Sequence, residues 1–224
     1  MFKKLAELSD PKNTRPFTLN EEIIHSITHA IGSGLSIAGL VILVVIAVLN
    51  GDIYQIIGFS IFGTSLVLLY LASTLYHGIQ QPRVKRVFKI FDHSAIYLLI
   101  AGSYTPFLLV GIRGTTGWIL LVVVWMIALI GITMKVLFID RFQVLSVIAY
   151  LVMGWLCVFV FREMLSSIPI GGIIWLAAGG ILYTVGVFFY AKQKTPYMHA
   201  VWHFFVLGGS ICHYFAVLFF LAEI

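Results

Sequence analysis

Charge is the scarcest thing in this sequence. Only 10% of its 224 residues are Asp, Glu, Lys or Arg, where soluble domains carry about 25%. No interval between the apolar runs is long enough to hold a soluble domain, which excludes a soluble enzyme or binding module. Cysteine is nearly absent. Cys157 and Cys212 both lie inside apolar segments, which suits small buried side chains better than a disulfide or a pair of ligands. No internal repeat is visible, and this counts against a transporter built from repeated halves. Polar residues able to line an aqueous channel are few and gathered at one end. No cleavable leader is expected either, since residues 1–20 are polar and the first apolar run is too long for a signal core.

What remains is apolar. The chain is 61% hydrophobic, with a mean hydropathy of +1.04, the composition of an all-α integral membrane protein. A bilayer crossing needs about 20 apolar residues. Seven runs reach that length, at about 22–49, 53–79, 90–111, 117–138, 143–161, 169–191 and 197–222. The chain therefore divides into a cytoplasmic juxtamembrane arm over residues 1–20 and a seven-helix transmembrane domain over residues 21–224. Thr18-Leu-Asn-Glu21 reads as a capping box that starts the first helix. Pro106, inside the third run, cannot donate to the carbonyl of Gly102 and predicts a kink there.

Orientation follows from the cations, because short cytoplasmic connections collect Lys and Arg. Lys3, Lys4, Lys12 and Arg15 precede the first run. Arg83, Lys85, Arg86 and Lys89 follow the second, Lys135 and Arg141 follow the fourth, and Lys192 and Lys194 follow the sixth. Only Arg113 and Arg162 fall on the other side. This bias predicts a cytoplasmic N-terminus and an external C-terminus. The net charge of +5 belongs to these connections, so it points to the membrane surface as partner and away from nucleic acid.

Polar residues inside a membrane are costly and mark function. In Tyr197-Met-His-Ala-Val-Trp-His203, His199 and His203 stand four apart, one turn apart on one helix face. Ser73 and His77 stand in the same relation at the cytoplasmic end of the second run. Asp92 lies in the first turn of the third. At 1.5 Å per residue, these five residues fall within about 10 Å of depth of one another. Three histidines and a carboxylate suit a tetrahedral zinc site with water in the open position. Taken singly, His77, Asp92 and His199 also read as interfacial residues facing headgroups, and Ser73 as a hydroxyl bonded to its own helix. In the first run His25 and His29 repeat the ligand spacing. His29 is open to three roles: a ligand, a hydrogen-bonding support for a ligand, or a packing residue, with the last two preferred. Glu22, two turns away on a similar face, is read in the same way. His93 lies about 100° round the helix from Asp92, and His213 lies in the outer leaflet. Both are read as interior residues outside the site.

The order Ser73-x3-His77, Asp92, His199-x3-His203 on the second, third and seventh helices resembles the hemolysin III family. That family is the bacterial branch of the progestin and adipoQ receptors and is related to alkaline ceramidases. The resemblance runs from Glu21-Glu-Ile-Ile-His-Ser-Ile-Thr-His29 to the C-terminus, and Gly102-Ser-Tyr-Thr-Pro-Phe107 also fits the family's third-helix pattern. The resemblance implies Zn²⁺ on His77, His199 and His203, Asp92 holding the attacking water, and Ser73 beside the metal. The family commonly has asparagine where this chain has His25, which leaves the role of His25 open, metal contact included.

The resemblance also implies a role in membrane-lipid homeostasis, with membrane lipids as partners. The expected chemistry is hydrolysis of a ceramide-like amide, or of an ester, by water activated at zinc, with Asp92 and Ser73 as catalytic residues. The alternative is a non-enzymatic regulator or receptor of membrane lipids and fluidity, with zinc as a structural cross-link. A cytolytic pore is suggested by the family's name alone. The chain lacks the long soluble N-terminal extension of the animal receptors, so no protein hormone is implied. A bacterial cytoplasmic (inner) membrane is the expected location.

Overall fold

The computed structural model describes residues 17–223. The expected arm, with Lys3, Lys4, Lys12 and Arg15, lies outside the described residues up to position 16. Seven helices are long and apolar enough to cross a membrane, the number expected: α1 (Leu19–Asn50), α2 (Ile53–Gly78), α3 (Pro82–Ile112), α4 (Gly114–Phe138), α5 (Gln143–Ser167), α6 (Ile170–Tyr190) and α7 (Met198–Phe220). There is no strand among the described residues.

Caps set where these helices begin. The Thr18 hydroxyl accepts the Glu21 amide, and a Glu21 carboxylate oxygen accepts the Thr18 amide and hydroxyl at 3.0 Å each. This is the reciprocal box read from the sequence. A second box, which that reading missed, opens α2. Asp52 accepts the amides of Tyr54 and Gln55, and the Gln55 side chain accepts the Asp52 amide. It lets α1 and α2 turn back on each other across Gly51 and Asp52 alone.

α3 is the central helix: 72% of its most apolar stretch is buried inside the protein, against 22% for α5. α2 and α4 pack along it, α1 lies on α2, and α7 closes the bundle against α1 and α6. α2 comes close to α3 at Gly58, where a Cβ would stand 3.0 Å from the Pro106 Cα. The disturbance expected at Pro106 takes the form of a π-helical stretch, Phe107–Ile112, rather than a simple bend. With no N–H at Pro106, the ladder restarts one residue wider.

α5 is broken for another reason. It runs as α-helix to Gly154, as 3₁₀-helix over Leu156–Val160, and again as α-helix from Phe161. The Tyr104 hydroxyl of α3 sits in the gap, donating to the Gly154 carbonyl at 2.8 Å and accepting the Cys157 amide at 2.9 Å. An inserted hydroxyl that satisfies both freed groups is a recognised cause of such a break.

Candidate metal centre

The neighbourhood of α1, α2 and α7 places their polar ends together. His25 and His29 come from α1, His77 from the last turn of α2, and His199 and His203 from the first turns of α7. All five imidazoles are buried. One donor nitrogen each from His25, His77 and His199 lies within 4.8 Å of the other two. Among the described residues, that is the group able to hold a metal ion by this spacing. His203 stands against it, with ring centroids 5.2, 5.3 and 4.7 Å from those of His25, His77 and His199.

The hydrogen bonds fix which nitrogens face inward. His77 gives Nδ1 to a Glu22 carboxylate oxygen at 2.6 Å, and the other Glu22 oxygen meets the Lys85 ammonium at 2.8 Å. A carboxylate on Nδ1 holds the ring in the tautomer whose Nε2 carries the lone pair. That Nε2 is buried and has no hydrogen-bond partner. Thr28 does the same for His203. Its hydroxyl donates to the His25 carbonyl at 2.9 Å, so it accepts from His203 Nδ1 at 3.0 Å. His199 Nδ1 is also buried without a partner. Orphaned buried nitrogens cost stability unless something binds them. A buried set of converging imidazole lone pairs therefore suits a metal ion with a preference for nitrogen.

Two further contacts shape the mouth. Phe17 packs over His25 and His199, with centroids at 4.8 and 5.1 Å. Tyr197, at φ 62° before the start of α7, donates its amide to Glu21 Oε1 at 2.9 Å. Glu21 thus ties the start of α7 to the start of α1.

Of the residues singled out in the sequence, Ser73 and Asp92 meet each other: the Ser73 hydroxyl lies within hydrogen-bonding reach of the Asp92 carboxylate. Ser73 is buried, and the Asp92 side chain is 17% exposed. His29 stacks on His203 at 3.6 Å between centroids and makes no hydrogen bond through either nitrogen. It therefore packs against the cluster and hydrogen-bonds to none of it. His93 turns back far enough for Nδ1 to come within 3.5 Å of the Asp92 carboxylate, while giving its hydrogen bond to the Lys89 carbonyl at 2.9 Å. His213 bonds the Leu176 carbonyl at 3.3 Å, away from the cluster. Sequence reasoning passed over Thr28, Lys85 and Phe17. Thr28 lies three residues after His25 and one before His29, so its place on the same helix face was the available signal. Lys85 had been read for topology alone.

An apolar cavity of about 240 Å³ begins one helical turn from Ser73 and Asp92, and neither these two nor any of the five clustered histidines lines it. Its lining includes Leu69, one turn from Ser73, Ile96, one turn from Asp92, and Trp202, next to His203. It continues between α3, α5 and α6, where Tyr104 and Trp155 stand on its wall.

Comparison with known proteins agrees with this architecture. The sequence model described as Haemolysin-III related matches residues 17–214. The hemolysin-3 homolog of Bacillus subtilis (strain 168) is 50% identical over 208 residues, covering 93% of this chain and 98% of that protein. Hemolysin-3 of Bacillus cereus is 48% identical over 202 residues, 90% of this chain and 92% of that protein. The human monocyte to macrophage differentiation factor is 30% identical over 175 residues, 75% of this chain and 72% of its own length. Seven apolar helices make the chain a multi-pass integral membrane protein, and a bacterial cytoplasmic membrane agrees with the Bacillus relatives. With a match over nearly its whole length, the chain belongs to the haemolysin-III-related family.

Proposed function

We propose that this protein is a zinc-dependent lipid hydrolase of membrane-lipid homeostasis, cutting a ceramide-like amide or an ester just beneath the headgroups. The observation that carries the reading is the cavity of about 240 Å³ whose lining includes Leu69 and Ile96, one helical turn from Ser73 and Asp92, and Trp202, the chain neighbour of His203. Such a wall can hold an acyl chain whose carbonyl extends past the cavity's end toward the histidines. His77 and His199 would hold zinc, with His203 or His25 as the third imidazole. Bound there, zinc supplies a Lewis acid that polarises the carbonyl and acidifies a water. The Asp92 carboxylate takes the proton from the attacking water, and the Ser73 hydroxyl keeps that carboxylate aimed. Glu22 and Lys85 keep His77 in the tautomer that presents Nε2. In this reading the cation-rich end of the bundle faces the cytoplasm.

One observation favours a second reading. Four imidazoles, those of His25, His77, His199 and His203, have ring centroids within 5.3 Å of one another. Four protein ligands close a tetrahedral site, and closed sites are structural. The protein would then be a lipid or fluidity regulator whose helices α1, α2 and α7 zinc cross-links. The test is release of fatty acid from ceramide by the purified, zinc-loaded protein, wild type beside Asp92→Asn. Turnover by wild type and none by a variant that keeps its zinc supports the hydrolase. No turnover by wild type, together with a four-nitrogen zinc environment by X-ray absorption, supports the regulator.

A further inference from the structure

The same end of the bundle carries a second charged cluster, on the α3–α4–α5 side. Lys135, in the last turn of α4, is 2% exposed. Its ammonium makes one hydrogen bond, at 3.1 Å to the neutral Gln143 side-chain oxygen. Gln143 is itself held by the Ile139 carbonyl at 2.6 Å. Lys89 and Arg86 of α3 reach toward the same place and share one carboxylate, Asp140, at 2.8 and 3.4 Å. Arg141 follows Asp140 in the chain and is exposed. Among the described residues, three cations, with a fourth beside them, therefore face the single carboxylate of Asp140. A buried ammonium is retained where an anion or a strong field compensates it, and Asp140 is already engaged by two other cations.

The apolar surroundings say what kind of anion. Phe138 and Phe142, which flank Asp140 and Arg141 in the chain with ring centroids 6.0 Å apart, are 39% and 49% exposed. Phe142 is held at φ 58°, a left-handed conformation that costs a bulky residue energy. That turn carries Asp140 and Arg141 at the head of α5. A phosphate with apolar chains below it matches cations above exposed aromatic rings at this depth. A free inorganic anion has no use for the rings.

We propose that the α3–α4–α5 corner is a binding site for the headgroup phosphate of an anionic phospholipid. Arg86 and Lys89 hold the phosphate, with Lys135 adding positive charge behind them, and Asp140 competes with the lipid for Arg86 and Lys89. This site uses none of the residues of the histidine centre and does not depend on a metal.

The test uses the full chain in neutral detergent and native mass spectrometry to count retained lipids. The probes are phosphatidylglycerol, phosphatidylcholine of the same chain length, and inorganic phosphate as competitor. Wild type should retain phosphatidylglycerol about thirtyfold more tightly than phosphatidylcholine, from two cations near the surface. Arg86→Gln with Lys89→Gln should bring the two lipids level. Asp140→Asn should tighten phosphatidylglycerol, because it frees both cations. That gain is an outcome a merely structural ion pair would not give, and it keeps the test decisive if the double variant fails to fold. Equal retention of the two lipids by wild type, or weaker retention after Asp140→Asn, overturns the proposal. Displacement of phosphatidylglycerol by millimolar phosphate overturns the lipid assignment.

Discussion

Two charged clusters share one end of this bundle and are built on opposite terms. In the histidine cluster the protein supplies its own negative charge and fixes the rings of His77 and His203. Glu22 grips His77, Lys85 grips Glu22, and Thr28 holds His203. At the α3–α4–α5 corner the protein leaves positive charge in excess, with Asp140 the carboxylate shared by Lys89 and Arg86. A site with oriented lone pairs and a carboxylate behind them is prepared for a cation. A site short of carboxylates is prepared for an anion. The nature of the missing counter-charge, more than the count of charged residues, tells the two apart.

That contrast can be broken at several points. The largest effect is expected at Asp92. If it takes the proton from water, Asp92→Asn should lower lipid hydrolysis by about 10²–10⁴-fold, the range for a positioned base, with zinc content unchanged. Glu22→Gln comes next. Loss of the carboxylate behind His77 should weaken metal binding about 10–100-fold, measured by competition with a chelating dye, and phosphatidylglycerol retention should not move. Lys85→Met should have the same sign and a smaller size, about fivefold for a partly exposed ion pair, and Lys85→Arg should restore the affinity. If Lys85→Met instead lowers thermal stability with no change in metal affinity, Lys85 is structural.

Away from both clusters, Tyr104→Phe leaves the Gly154 carbonyl and the Cys157 amide without their bridge. The expected cost is about 1–3 kcal/mol in unfolding free energy, with metal affinity intact. The smallest effect belongs to Asp140. Its carboxyl is held below the usual range, chiefly by the hydrogen bond from Lys89. A depressed folded value means stability that is complete above the unfolded value, about 3.9, and is lost as pH falls below it. With the side chain 54% exposed, solvent screening keeps the effect under about 1 kcal/mol. The stability difference between wild type and Asp140→Asn should shrink as pH drops below about 4 and stay flat above it.

The sequence made the seven crossings legible, because composition alone separates apolar runs from cation-bearing connections. Helical rise, which converts residue number into depth, put Ser73, His77, Asp92, His199 and His203 at one expected level; the structure joins the three histidines to one another and Ser73 to Asp92. The sequence could not supply the rotation of α1 against α2 and α7. That rotation brings His25 within ligand distance of His77 and His199, stacks His29 on His203, and gives Glu22 to His77 rather than to its own helix neighbour. Helix setting depends on packing between segments distant in sequence, as where Gly58 admits Pro106. The break in α5 was equally hidden. No proline marks it, and its cause is a hydroxyl some 50 residues earlier in the chain.

The central claim is that the histidines form a metal centre. The most direct measurement is metal content of detergent-purified protein prepared without chelator, wild type beside His77→Ala. The expected result is about one zinc per chain, the stoichiometry of a single tetrahedral site, and its loss in the variant. Wild-type protein that is folded and free of zinc would contradict it.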